Sequence, residues 1–397
     1  MIKALRYSVE PCCILYYMNN NTTKVSLALL RSALWGNTQQ THEDAFPTCS
    51  DEWKGIADFF TCQSLDGLLP DAIASLPSSL QPSMAVKMPL IARQIQVERM
   101  NHAMNNELLT FTSELNRRSI PYILLKGQGV ASVYPNPLHR LCGDIDLYVP
   151  AKYLKEVHRG LMAFGAVRET ESRHHINYRA NGVEWELHHK IYYFQKESRN
   201  HLFMHYVDEE MNASPYYVSI EGEQVRVFNP TMNVLLLLSH IVDHFYCEGV
   251  GLRQLCDYAL ALHHKHEEID RTKLLEMLDA LALTRAYRVF GYICTHYLGM
   301  PSGALMLEPS KKDIRLAHRV MADCLKGGNF GHAESNKRQS MWQNITFYTR
   351  FLRRLWSYRQ LHHSEALWWP LAKLKRALKG EVHISEERSA VHDFVAG

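Results

Sequence analysis

The sequence predicts an α+β fold in which a mixed β-sheet core lies between an N-terminal helical region and a C-terminal helical domain. Three observations point to it. Before residue 118 a stripe of apolar residues, Val97, Met100, Met104, Leu108, Phe111 and Leu115, steps by three and four along one helical face. Between 119 and 229 the period falls to two, most plainly where 175–180 and 183–188 flank Asn181-Gly182, a dipeptide suited to a tight hairpin turn. From Thr231 to about residue 379 the pattern is helical again. The expected organisation is therefore an N-terminal helical region over 1–118, a sheet-bearing core over 119–229, a C-terminal helical domain over 230–380 and a polar, mobile tail over 381–397.

Taken in order, residues 1 to about 20 support no assignment. Val25, Leu27, Leu29, Leu30 and Leu34 predict a helix from Thr23 to Trp35, capped by Thr22 or Thr23 and closed by Gly36. The polar stretch 37–50 reads as a loop. A second helix opens near Ser50-Asp51 with Trp53, Ile56, Phe59 and Phe60 at helical spacing, and Pro70, Pro77 and Pro82 punctuate short helices and turns. The long striped helix is expected to start after Pro89. Strand 121–126 leads into a helix around 128–133, then the strand bearing Asp144 and Asp146, a helix from Lys152 to Phe164 ending at Gly165, and a strand over 166–169. The Asn-Gly hairpin follows, and Tyr216–Ile220 with 224–228 about Gly222 suggests another. Thr231 is the expected N-cap of the next helix, and LRQLCDYALALHHK forms the one after it. Gly327 and Gly328 mark a loop.

At 397 residues and 46% hydrophobic content the chain can bury a sizeable core. A net charge of +3 neither implies nor excludes a nucleic-acid partner, so any basic patch must be local. Nine cysteines without a C-x-x-C spacing are expected to be reduced thiols in a cytoplasm. The early CCILYYM run is interrupted by Glu10 and Pro11, so no signal peptide is expected. The longest apolar run, around 234–242, falls far short of the ~20 residues that span a bilayer.

The chemistry is concentrated between Leu124 and Pro150. Asp144 and Asp146 sit two apart among Ile145, Leu147 and Val149, so in a strand both carboxylates leave the same face. Two acids so close raise each other's pKa unless a cation is shared, and a hard divalent ion such as Mg2+ would supply it. Solvated aspartates on an edge strand are the alternative for this motif alone. Downstream, Val183, Trp185 and Leu187 alternate with Glu184, Glu186 and His188, which supplies a third carboxylate, Glu186, on one face. Upstream, Lys126, Gly127 and Gln128 form a strand-to-helix turn at which backbone N–H groups and the Lys126 ammonium could hold a phosphate. Arg140 is read as contacting substrate or a catalytic acid, with a structural ion pair as the alternative.

These residues resemble the DNA polymerase β-like nucleotidyltransferase superfamily: strand, Gly-containing turn, helix, two Asp on the next strand and a carboxylate on a later one. More narrowly LLKG, then Tyr134, Pro135, Arg140 and GDIDLYV, ELH, and later HFYCEGVGLRQLCDYAL, resemble the bacterial uncharacterised nucleotidyltransferase family proteins. The resemblance implies a nucleotidyltransferase-fold core that binds Mg2+ or Mn2+, two ions, through Asp144, Asp146 and Glu186. It implies transfer from an NTP, most simply ATP, to an acceptor that could be a sugar phosphate or other small molecule, an RNA or a protein. Where the superfamily's turn carries Gly-Ser or Gly-Gly, this chain has Gly127-Gln128. A binding protein that keeps the fold without catalysis is the competing class.

Glu184 and His188 share the acid face. His240 and His244, four apart on a helix, lack the Glu of a metalloprotease HExxH motif. With Arg253 and Asp257 they are expected where the helical domain meets the sheet, either closing the cleft or forming polar core. Segment 340–380 interleaves arginines and lysines with Trp342, Phe347, Tyr348, Phe351, Trp356, Trp368 and Trp369. Such a segment can touch nucleic acid or an anionic membrane surface, but a helical pair with aromatics inward and a basic outer face is the favoured expectation.

Overall fold

The computed structural model describes residues 20–36, 46–328 apart from 48, 173, 192 and 248, and 352–368 apart from 364 and 366. Three helices come first: α1 (Asn20–Trp35), α2 (Ser50–Cys62) and α3 (Leu69–Ala74). The long helix α4 (Met84–Arg117) precedes β1 (Ile123–Leu125), the short α5 (Gly127–Ala131) and β2 (Ile145–Tyr148). Next come α6 (Leu154–Ala163), β3 (Val167–Glu171), β4 (His175–Ala180) and β5 (Val183–His188). After them stand α7 (Glu197–Asn212), β6 (Tyr216–Ile220) and β7 (Glu223–Val227). Five helices follow: α8 (Pro230–Cys247), α9 (Leu252–His264), α10 (Arg271–Ala280), α11 (Thr284–His296) and α12 (Lys311–Gly327).

The seven strands form one mixed sheet in the order β3-β4-β5-β2-β1-β7-β6. β1 runs antiparallel to β2 and parallel to β7, and β2 runs parallel to β5. The alternation in the sequence divides its faces. Leu124, Ile145, Leu147, Trp185 and Leu187 share a core with Met104, Leu108, Phe111 and Leu115 of α4. The other face carries Ile123, Leu125 and Tyr148 into a second core built from helices on both sides of the sheet in sequence. Helices at the two ends of the chain thus share one core. Gln63 after α2 accepts from the Leu252 N–H at 2.8 Å, and the Trp35 indole donates to the Leu298 carbonyl at 2.6 Å.

Several local expectations are corrected. α4 begins at Met84, not after Pro89, which lies inside it. A proline there forgoes a single backbone hydrogen bond in a stretch where Met84 and Met88 are exposed and water can take the freed carbonyl. The N-cap of α8 is Asn229, whose side chain accepts from the Met232 N–H at 2.9 Å. The Thr231 hydroxyl instead accepts from the Asp270 N–H. The first helix already runs at Asn20, so Thr22 and Thr23 lie within it. Helix α7 was not anticipated. In the segment 340–380, residues 369–380 and those before 352 lie outside the described residues. Within it Tyr358 and Leu361 are buried, but Trp356 and Trp368 are exposed, with the Arg359 guanidinium 4.5 Å from the Trp356 ring centroid. Not all its aromatics turn inward, because a cation can cover an indole face at the surface.

Candidate active site

Register brings the acids together. Asp146 of β2 stands opposite Glu186 of β5, and Asp144 precedes Asp146 by one strand repeat. One carboxylate oxygen from each of Asp144, Asp146 and Glu186 lies within 4.8 Å of the other two. Asp146 is buried, while the Glu186 side chain retains 28% exposure, so the cluster opens to solvent on the Glu186 side.

Two protein cations balance these acids. Lys126 Nζ lies 3.1 Å from Asp146 Oδ1. His188 Nε2 lies 2.9 Å from the same oxygen and 3.2 Å from Glu186 Oε2. Burial opposes the charge on His188, yet hydrogen bonds to Asp146 and Glu186 win and push its pKa up to about 9. Burial likewise opposes the Lys126 ammonium, and Asp146 leads the charges that hold its pKa above the usual lysine range. For Glu186 burial is outweighed by the His188 hydrogen bond and charge, and its carboxyl sits below the ordinary range. Among the described residues Asp144 has no such ion-pair partner. Burial, then Asp146 and Glu186, push its carboxyl up to about 7.

The backbone at Lys126 is unusual. Its φ of 49° and ψ of −141° lie in a region that residues other than glycine rarely adopt, and Gly127 follows at φ 42°. This turn ends β1 at the acid cluster and aims Lys126 at Asp146, at a strain on the order of 1–3 kcal/mol. Gln128 is buried, and neither polar atom of its side-chain amide finds a hydrogen-bond partner.

Arg140 is not brought to the carboxylate cluster. Its Nε and NH2 donate to Asp257 at 2.8 and 2.7 Å, both residues are buried, and the Tyr134 hydroxyl donates to the same carboxylate at 2.7 Å. The reason is charge compensation: a buried guanidinium needs a planar anionic partner, and α9 supplies one. Arg253 on the same helix donates to the Leu141 carbonyl at 2.9 Å. Arg140, Arg253 and Asp257 therefore fix the segment that leads into Asp144. From the other side, His139 is held by Asp71 and Glu98, and Gly67 lies so close that a Cβ there would sit 2.2 Å from the His139 carbonyl oxygen.

Glu184 projects on the acid face but pairs with Arg179 at 2.5 Å, outside the cluster. His240 and His244 stack edge to face with ring centroids 4.1 Å apart, and His240 lies 5.9 Å from the Tyr193 ring. Burial and then the charge of Lys126 hold His240 well below the usual histidine pKa, so it faces the site as a neutral ring. The sequence reading missed His174, His175 and Tyr193. His175 was legible, since pairing outward from Asn181-Gly182 sets it opposite His188. Tyr193 follows β5 with no periodic signal.

A family model described as an uncharacterised nucleotidyltransferase matches residues 50–299. No curated protein matches the chain. Two solved structures of the antibiotic-resistance factor ANT(2″)-Ia are similar at 14% identity, a solution structure with TM-score 0.33 and a crystal structure with adenylyl-2″-tobramycin with TM-score 0.32. These matches cover 47% and 45% of this chain and 93% and 97% of theirs. An antigenic nucleotidyltransferase-like protein from Paracoccidioides brasiliensis is 14% identical with TM-score 0.30, over 55% of this chain and 96% of its own.

Proposed function

The chain belongs to the uncharacterised nucleotidyltransferase family, and from that premise we propose that it moves a nucleotidyl group from an NTP, most simply ATP, to an acceptor hydroxyl or phosphate. The acceptor oxygen bonds to the α-phosphorus, the bond from that phosphorus to the bridging oxygen breaks, and pyrophosphate leaves. The convergence of Asp144, Asp146 and Glu186 carries the proposal. Three carboxylates offer an all-oxygen donor set that suits Mg2+ or Mn2+ better than a softer ion. When bound there, two such cations would neutralise the phosphates and favour the entering and leaving oxygens of an in-line displacement.

The chain's own residues supply the rest. Lys126, within reach of Asp146, brings positive charge to the phosphates, with Gly127 and Gln128 at the same turn. His188 holds Asp146 and Glu186 in place. Arg140, Arg253 and Asp257 act by position, keeping the segment before Asp144 fixed, and His240 with His244 lines the helical side of the cleft. The acceptor class is a sugar phosphate or other small molecule, an RNA or a protein. The thiols of Cys49, Cys62, Cys142, Cys256, Cys294 and Cys324 are free, which supports a cytoplasmic setting, and no described helix is long and apolar enough to cross a membrane.

The test is incubation with Mn2+ and NTPs labelled at the α- or γ-phosphate in a cell extract. Label kept on an acceptor from the α-position alone is the expected result; label kept from the γ-position alone would make the protein a kinase. A non-catalytic binding role is favoured by Gln128, buried and unpartnered where the superfamily's turn carries Ser or Gly. ATP binding with no labelled acceptor would select that role.

A further inference from the structure

A second donor set adjoins the carboxylates. His175 stands opposite His188 in the β4–β5 ladder and Asn177 stands opposite Glu186, so His175 and His188 leave the sheet on the face that carries Glu186. One ligand atom from each of His175, Glu186 and His188 lies within 4.8 Å of the other two. The His175 and His188 rings are 5.2 Å apart, and His174 adds a third ring 4.6 Å from His175. Nδ1 of His175 is buried and makes no hydrogen bond. A buried imidazole nitrogen left unbonded is destabilising unless something takes its lone pair or its proton.

Charge balance explains only part of this. His188 sits between Asp146 and Glu186 and would serve as their counter-cation without any metal. That role needs neither His175 nor its position directly across the ladder. Two imidazoles with one carboxylate are a donor set of a different kind from three carboxylates, one that Zn2+, Co2+, Mn2+ and Fe2+ take in preference to Mg2+. We propose that His175, Glu186 and His188 bind a first-row transition-metal dication, with Glu186 common to this site and the carboxylate site beside it. The partly exposed Glu186 gives the ion a way in. When it ligates, His188 releases its extra proton to solvent and gives up its present hydrogen bonds to the carboxylates, and the bound cation replaces it as their counter-charge. The site loads whether or not the chain transfers a nucleotide.

The experiment titrates metal-free, full-length protein with Co2+, whose visible absorption reports nitrogen ligation in a low-coordinate site. Expected are intense d–d bands that Zn2+ abolishes and excess Mg2+ leaves in place. His175→Gln should weaken Co2+ binding at least about tenfold while keeping the thermal shift produced by Mg2+. Asp144→Asn should do the reverse, losing the Mg2+ response and keeping the Co2+ bands. Circular dichroism checks that His175→Gln is folded, and His175→Cys, which restores a ligand, should recover binding with an added thiolate charge-transfer band. A weak, water-like Co2+ spectrum, bands removed by Mg2+, or undiminished binding in His175→Gln would overturn the assignment.

Discussion

Asp146 and Glu186 face each other across the parallel β2–β5 ladder, and the cations now within reach of Asp146 are Lys126 at 3.1 Å and His188 at 2.9 Å. Asp146 thus has two partners, whereas burial and its acidic neighbours push the carboxyl of Asp144 up to about 7. The two aspartates should respond oppositely to neutralisation. Asp146→Asn leaves Lys126 buried without its nearest counter-charge and should destabilise the metal-free protein by about 3 kcal/mol. Asp144→Asn removes repulsion and should stabilise it. Both should lose the stabilisation that Mg2+ gives the native protein. Urea midpoints with and without Mg2+ decide; a native Mg2+ response in either variant would place the ion elsewhere.

The Arg140–Asp257 pair joins the segment before Asp144 to α9 and is buried on both sides. Asp257→Asn should cost about 3–5 kcal/mol, because an uncompensated guanidinium is left in the core. Arg140→Lys should recover little, since an ammonium cannot make the two parallel bonds at 2.8 and 2.7 Å. If Arg140 instead met phosphate directly, Arg140→Lys would fold with native stability and show a raised KM for NTP.

His139 gives the pH dependence. Burial disfavours its charged form, but hydrogen bonds to Asp71 and Glu98, at 2.5 and 2.8 Å, outweigh it and raise its pKa above the ordinary value. A raised folded-state pKa means the folded state binds the proton more tightly. The stabilisation is complete below the unfolded value of about 6.5 and fades as pH climbs through the folded value. Melting curves of the native protein and His139→Gln should differ most below about pH 6.5 and converge in alkali. A gap that widens with pH would show that the neutral ring, not the ion pair, holds the loop.

What the sequence discloses depends on how local the cause is. The hairpin is legible because Asn181 and Gly182 adopt φ of 50° and 83°, a turn chemistry written into two adjacent residues. The shared face of Asp146 and Glu186 is legible because strand parity is a counting rule. Helix α7 is not, since only Asn200, Phe203, Val207 and Glu210 of its 16 residues are buried. Asn200 is buried to bond the Phe194 backbone, which no periodicity forecasts. The partner of Arg140 lies 117 residues away. Such a pair follows from the tertiary fold, and a sequence offers the arginine and the aspartate without their meeting.

Lys126 provides the sharpest separation of roles. Its ammonium sits on Asp146, yet nucleotidyl transfer asks it to meet the phosphates. Both hold if it releases Asp146 when a cation arrives, so removing it should move two affinities in opposite directions. Lys126→Met should bind Mn2+ alone more tightly, because the metal no longer competes with an ammonium for the Asp146 oxygen. The same variant should show a KM for NTP raised about tenfold with kcat changed less, the signature of a contact made in ground and transition states alike. The backbone strain at φ 49° is retained in Lys126→Met, so Lys126→Gly, which relieves it, separates the charge from the conformation. Calorimetry with Mn2+ and steady-state kinetics read the two quantities independently. A tighter metal with an unchanged KM would leave Lys126 as a counter-ion only.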